Sequence, residues 1–309
     1  MTRDTRKNRI PAWGAGLALW IAVALSTACD SDQLGPSQPL PGQIAFTSIV
    51  DRFMRIVVMD PDGSNVRILT DEGQTNLEPA WSPDGRQIVF TSWRDGDANI
   101  WIMDRDGSNA RGLTTHPSND RSARFSPDGE KIAFVSQRDG SYDVYLMNAD
   151  GSNVVNLTNS PSSVDLDPRF SPDGGTILFC STRGSDPANG EFSLFLMRPD
   201  GTGIERLPVE GGARWPNYSR DGTKIVFGSS REGGDPEIWM VEADGSNPVN
   251  LTNSPGADDE PSFSPDGTHI VFSTRRGGTP EIYSIRADGT DPVNLTQTEF
   301  WDAMAAWSP

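Results

Sequence analysis

The sequence predicts an all-β chain folded as a six-bladed β-propeller of four-stranded blades, closed by its C-terminal strand. Three observations carry that expectation. A phrase recurs as "WSPDGRQIVFTS" from Trp81, "FSPDGEKIAFVS" from Phe125, "FSPDGGTILFCS" from Phe170, "YSRDGTKIVFGS" from Tyr218 and "FSPDGTHIVFST" from Phe263. A second phrase, an apolar run ending in Asp-Gly, places Asp62, Asp106, Asp150, Asp200, Asp244 and Asp288 at steps of 44, 44, 50, 44 and 44. The pattern also begins in mid-unit at Gln43 and stops in mid-unit with "AMAAWSP". A unit that cannot bury its apolar face alone stacks on copies of itself, and units of this length with several short strands form propellers.

Each unit reads as four strands. Strand a precedes "SPDG". Strand b is the "IVF"-type run, with copies starting at Gln43, Gln87, Lys131, Thr176, Lys224 and His269. Strand c is the "IWIM"-type run, and strand d ends in "LT" at Leu69, Leu113, Leu157, Leu251 and Leu295, with Leu207-Pro208 as the exception. Strands b and c are rich in Ile, Val, Phe and Tyr, which suit a pleated surface. Their near-continuous apolar character implies that both faces are covered. The a–b and c–d turns carry Asp-Gly, where glycine supplies the positive φ of tight hairpins. The chain enters at strand b and leaves after strand a, so its last strand completes the first blade and removes the exposed edges.

Residues 1–28 read as a signal peptide, with a basic start (Arg3, Arg6, Lys7, Arg9 against Asp4) followed by the apolar "IPAWGAGLALWIAVAL". The run is shorter than the roughly 20 residues a spanning helix needs. Ser26, Thr27 and Ala28 directly before Cys29 resemble the lipobox of bacterial lipoproteins, in which that cysteine carries the lipid, although Leu25 stands four places before the cysteine rather than three. Residues 29–42 are then a lipidated cysteine and a flexible Pro/Ser/Asp-rich tether, and residues 43–309 the propeller. The second cysteine, Cys180, reads as a small buried thiol.

The 309 residues carry 43 acids against 26 bases, a formal charge of −17, which argues against nucleic acid as a partner. The "DPDGSN" turns lack the spacing of a calcium loop and their Asp residues serve turn chemistry, so no metal is expected. With two histidines, neither placed to share a metal, and no nucleophile–base arrangement, no catalytic residue and no cofactor are assigned.

The pattern "WSPDG…IAF…S.RDG…IY.MDADGSN..LT" resembles the WD-type propeller repeats of the TolB family, which also occur in the propeller domains of prolyl oligopeptidase-like peptidases. The resemblance covers residues 43–309. TolB proteins place an α/β domain before the propeller, where this chain has the tether. The peptidases carry a G-x-S-x-G elbow, which does not occur in this sequence. The resemblance implies a non-enzymatic scaffold of the cell envelope, on a periplasmic or surface face, with a protein or peptide partner.

Strand directions alternate, so the b–c and d–a loops share one end of the ring. The b–c loops carry Arg94, Arg138, Arg183, Arg231 and Arg275, and the d–a loops carry Asn76, Asp120, Asp165, Ala213, Asp258 and Asp302. Two explanations stand side by side: Arg–Asp pairs bridging adjacent blades, or a funnel of unpaired acids. The fourth unit's "STRGSDPANGEFSLF" is longer than its siblings, and its d–a link "LPVEGGARWPNY" puts Trp215, beside Arg214, where other copies have Glu78, Asp167 or Glu260. With Trp93, Phe300 and Trp301 on the same face, an aromatic rim is expected. The candidate binding residues are therefore Trp93, Trp215, Arg214, Phe300, Trp301, Asp120, Asp165, Asp258 and Asp302. The expected function is a monomeric binding scaffold, held to the membrane only by its lipid. The alternative is a carbohydrate-binding or carbohydrate-active propeller using the aromatic rim and acidic funnel.

Overall fold

The computed structural model describes residues 42–185 and 191–309. The expected signal peptide, Cys29 and nearly all of the tether lie outside the described residues. The described residues form six four-stranded antiparallel sheets and no helix. In five sheets the strands follow chain order. The sixth joins Asp302–Trp307 to Ile44–Val50, pairing Ile44 with Trp307 and Ser48 with Asp302. The ring is closed as expected. Numbering blades from this joint, strand a is Asp302–Trp307 in blade one, Asn76–Trp81 in blade two and Asp120–Phe125 in blade three. It is Asp165–Phe170, Arg214–Tyr218 and Asp258–Phe263 in blades four, five and six.

Blades pack face to face. One apolar cluster joins Val89, Ile100 and Leu113 of blade two to Ile132, Phe134 and Tyr145 of blade three. Another joins Ile44, Phe46 and Val57 of blade one to Val271, Ile282 and Leu295 of blade six, across the joint. Each strand b contributes one phenylalanine at an equivalent place: Phe46, Phe90, Phe134, Phe179, Phe227 and Phe272, none more than 2% exposed. Burying each is worth about 1.5–3 kcal/mol.

The recurrent phrases have physical reasons. In "SPDG", the Ser126 hydroxyl donates to Asp128 Oδ1 and accepts from the Lys131 N–H, locking the hairpin. In "LT", the threonine hydroxyl replaces a carbonyl of the outer strand: Thr114 Oγ1 accepts the Ile100 N–H at 3.0 Å. Strand d is thereby cut to two paired residues, Arg111–Gly112 in this blade, shorter than the whole segment that the sequence suggested. The c–d glycine also touches the preceding blade. Gly107, at φ 90°, sits where a Cβ would lie 2.5 Å from the Leu69 carbonyl oxygen.

Candidate binding site

Every inner strand is broken by a bulge. In blade three, Arg121 pairs with Val135 and Arg124 with Ala133, so two residues oppose one. The first bulged residue is left-handed in all six blades: Glu78, Ser122, Asp167, Trp215, Glu260 and Met304, with φ between 52° and 60°. Five of these positions thus hold non-glycine, unbranched side chains in a costly conformation, and the sixth holds Trp215. The bulge turns these six side chains together to line the central channel. Acids alternate with other residues around it: Glu78, Asp167 and Glu260 occupy blades two, four and six.

Each acid grips the next blade. The Ser122 N–H donates to Glu78 Oε2 at 2.8 Å, and the Met304 N–H donates to Glu260 Oε2 at 2.7 Å. Trp215 N–H approaches Asp167 Oδ2 at 3.4 Å, while Arg214 Nε donates to the same oxygen at 3.2 Å. Strand-b hydroxyls complete the set, with Thr91 Oγ1 donating to Glu78 and Ser273 Oγ to Glu260. Burial pushes Glu260 up to about 7, against the hydrogen bonds from Ser273 and Met304. Burial likewise pushes its neighbour Asp259 up to about 6. Cys180 is a free, buried thiol, and burial raises its pKa.

At the loop end, the Trp93 N–H donates to the Thr75 carbonyl, which confirms that the b–c and d–a loops share one face. Asp120, Asp165 and Asp258 are fully buried at the head of their strands. Arg138 Nη2 meets Asp120 Oδ2 at 2.9 Å, Arg183 meets Asp165 at 2.6 Å and Arg276 meets Asp258 at 3.1 Å. These three pairs lie inside single blades, joining strand a to the adjoining b–c loop, rather than bridging blades as expected. The reason is antiparallel pairing, which brings the start of strand a beside the end of strand b: Asp120 is opposite Ser136, two residues before Arg138. In blade six the paired arginine is Arg276, not Arg275. The pair that does bridge blades is Arg214–Asp167 at 3.2 Å, between blades five and four. Asp302 forms no ion pair with an arginine among the described residues; the Thr298 hydroxyl donates to its Oδ2 at 2.6 Å, and burial raises its pKa.

Blade five departs from this scheme. Ala213 stands where four siblings have a buried acid and blade two has Asn76, and Arg231 forms no ion pair among the described residues. Its guanidinium lies over the Trp239 ring at 4.6 Å, as Arg276 lies over Tyr283 at 4.7 Å. The Ser229 hydroxyl, freed from that guanidinium, donates to the Gly211 carbonyl instead. A pocket of about 410 Å3 opens here, lined by Phe192, Arg214, Trp215 and Arg231. Arg214 lies over Phe192 at 4.4 Å and Trp215 at 4.8 Å. Gly228 makes room, since a Cβ there would stand 3.3 Å from the Trp215 ring.

The aromatic residues do not form one cluster. Trp215 lines the channel wall of blade five. Trp93 belongs to blade two, on the opposite side of the ring, and is partly buried. Phe300 and Trp301 precede strand a of blade one, next to blade two. Phe300 is 54% exposed, and the Trp301 carbonyl accepts the Ile49 N–H at 3.0 Å. Sequence reasoning noted that Glu78, Asp167 and Glu260 share a position with Trp215, but not that a bulge points them into the channel. It missed Arg124 and Arg169, which lie two residues further along their strands. Among the described residues, no group of three or more His, Cys, Asp or Glu side chains is arranged to hold a metal ion.

A closed ring of six four-stranded blades, with an irregular loop face and a polar channel, defines this molecule as a β-propeller of the repeat-built kind. The chain belongs to the TolB beta propeller domain family, whose pattern matches residues 42–227 and 208–309. It is 34% identical over 76 residues to the Tol-Pal system protein TolB of Geobacter sulfurreducens, covering 25% of this chain and 17% of that protein. It is 48% identical over 52 residues to a TolB homolog of Chlorobaculum tepidum, covering 17% of this chain and 12% of that one. The matched stretches are thus a small part of these relatives' length. The crystal structure of TolB from Acinetobacter baumannii superposes with a TM-score of 0.78 at 24% identity, over 88% of this chain and 68% of that one. At that identity the likeness concerns the fold.

Proposed function

We propose that this protein is a non-enzymatic binding scaffold of the cell envelope that recognises a protein or peptide partner on its loop face, centred on blade five. The observation that carries this reading is Arg231. It keeps the aromatic stack of its siblings but lacks the buried acid that pairs with Arg138, Arg183 and Arg276, and unlike Arg94, which reaches Asn76, it has no polar side chain at that place; it lines a pocket with Trp215 and Arg214. An arginine so placed offers its charge to an acidic side chain, and the aromatic walls offer the flat contact typical of interface hot spots. Membership of the TolB propeller family supports an envelope role, as does the Tol-Pal name of one relative. In this reading the buried acids Asp120, Asp165, Asp258 and Asp302 hold the loops in place, while Trp93, Phe300 and Trp301 extend the contact. Cys29 carries the lipid that tethers a monomer to the membrane.

The test is cross-linking in envelope preparations, comparing wild type with Trp215→Ala and Ala213→Asp. The second variant restores the sibling pair and so occupies Arg231 without removing it. Loss of the same partner from both variants supports the reading. Partner sets identical to wild type overturn it. Labelling with an alkyne fatty acid, lost in Cys29→Ser, tests the anchor separately.

A further inference from the structure

The opposite end of the ring holds a larger opening. A cavity of about 460 Å3 enters between the five "SPDG"-type turns and Ser308-Pro309, with Arg124 and Arg169 in its lining. Its wall carries the turn serines, among them Ser126 and Ser264, together with Asn217 and Ser262. At the rim, Arg220 stands where the sibling turns have proline, and it is exposed. Among the described residues, no Asp or Glu side chain lines this cavity.

Arg124 and Arg169 occupy equivalent positions of neighbouring blades. Each has one hydrogen bond to a carbonyl: Arg124 Nη1 to Ala123 at 2.7 Å and Arg169 Nη1 to Pro168 at 3.0 Å. Neither forms an ion pair within 4.0 Å among the described residues, although Pro309 ends on the same wall. Arg169 Nε is buried and has no hydrogen-bond partner among the described residues. In the adjoining channel Glu78 and Glu260 bond to backbone and hydroxyl groups of the bulges and Asp167 to Arg214 and the Trp215 N–H, so their charge acts on Arg124 and Arg169 without a direct bond. Burial, and then the charge of Arg124, pull the Arg169 guanidinium down to about 9. Two like charges brought together with spare donors form a site that an anion relieves.

We propose that this cavity is a second binding site, distinct from the loop face, in which Arg124 and Arg169 together grip one oxyanion, a carboxylate or a phosphate, with Arg220 attracting it at the entrance. Both guanidinium groups come from adjacent inner strands and line the same polar cavity, and each is planar with several donors to offer one oxyanion.

The experiment is thermal unfolding of the purified chain in inorganic phosphate and in succinate, each against sodium chloride of equal ionic strength. Wild type is expected to melt several degrees higher in at least one of the two oxyanions, with saturation. Response to phosphate alone indicates a phosphoryl ligand. Response to succinate indicates an acidic peptide or sugar acid, which isothermal titration with an acidic peptide and with galacturonate then separates. Arg124→Gln/Arg169→Gln is expected to abolish the increment and, in chloride alone, to melt above wild type, because it removes the paired charges. Structural arginines would give the reverse: no response to either oxyanion in wild type, or a double variant that melts below wild type in chloride. The wild-type titration overturns the proposal by itself if neither oxyanion exceeds the chloride control.

Discussion

The Met304 N–H donates to the Glu260 carboxylate at 2.7 Å across the joint between the last blade and the first. The carboxylate thus grips the strand that closes the ring, and Ser273 Oγ reaches the same N–H at 3.1 Å. The same grip joins Glu78 to Ser122, so the closure uses the interaction that holds another blade pair.

Burial raises Glu260 from 4.5 to about 7 in the folded chain. The folded state then holds more protons than the unfolded chain between those values, so stability falls as pH rises from about 4.5 to about 7 and is level above. Glu260→Gln keeps an oxygen for the Met304 N–H and removes the ionisation. It is expected to gain about 1–2 kcal/mol at pH 8. It should also flatten the decline above pH 6, leaving the smaller part due to Asp259 below that. Urea unfolding at pH 5, 6, 7 and 8 checks this. An unchanged slope would show that Glu260 is not the titrating group.

Asp165 is fully buried and bonded to Arg183 at 2.6 Å. Removing one partner of such a pair leaves a desolvated charge, at a cost of about 3–5 kcal/mol. Asp165→Ala is therefore expected to lower the unfolding midpoint sharply, and Asp165→Ala/Arg183→Met to recover much of the loss. A stable single variant would return Asp165 to the pool of ligand-binding acids.

Gly107 and Gly96 both have φ near 100° or just below it, but their surroundings differ. A Cβ on Gly107 would lie 2.5 Å from the Leu69 carbonyl, while one on Gly96 meets nothing within 4 Å. Gly96→Ala is expected to cost about 1 kcal/mol for the backbone alone. Gly107→Ala should cost about 3 kcal/mol, since adjacent blades must also move apart. Equal losses, measured by chemical denaturation, would mean that the blade contact yields freely.

Deleting Asp302–Pro309 strips the inner strand from blade one and exposes the edge of Ile44–Val50. The shortened chain is expected to lose its single cooperative transition and to associate through that edge. Size-exclusion chromatography with light scattering checks it. A monomer with a wild-type transition would contradict the role assigned to the closing strand.

Much of the architecture was legible because its signals are local. "SPDG", the Asp-Gly of the c–d turn and "LT" each satisfy their hydrogen bonds within a few residues or with the adjoining strand, as Ser126 with Lys131 and Thr114 with Ile100 show. Channel residues were less legible. Alternation along strand a alone does not reveal a bulge, and one extra residue sends the following side chains to the other face. Arg275 and Arg276 illustrate the same difficulty, since only the course of the loop selects the one that reaches Asp258. The exchange of Asp for Ala213 was visible as a break in the repeat. Its consequence, an arginine with no acid, depends on a contact between residues 18 positions apart in the sibling blades.

Repetition therefore sufficed for the number of blades, the order of their strands and the closing of the ring. Each of these follows from short stretches whose apolar faces have no other place to go. The direction in which each polar side chain points, and which charges remain unmatched, was decided only once the blades had packed. Those features depend on one-residue shifts and on contacts between strands that lie far apart along the chain.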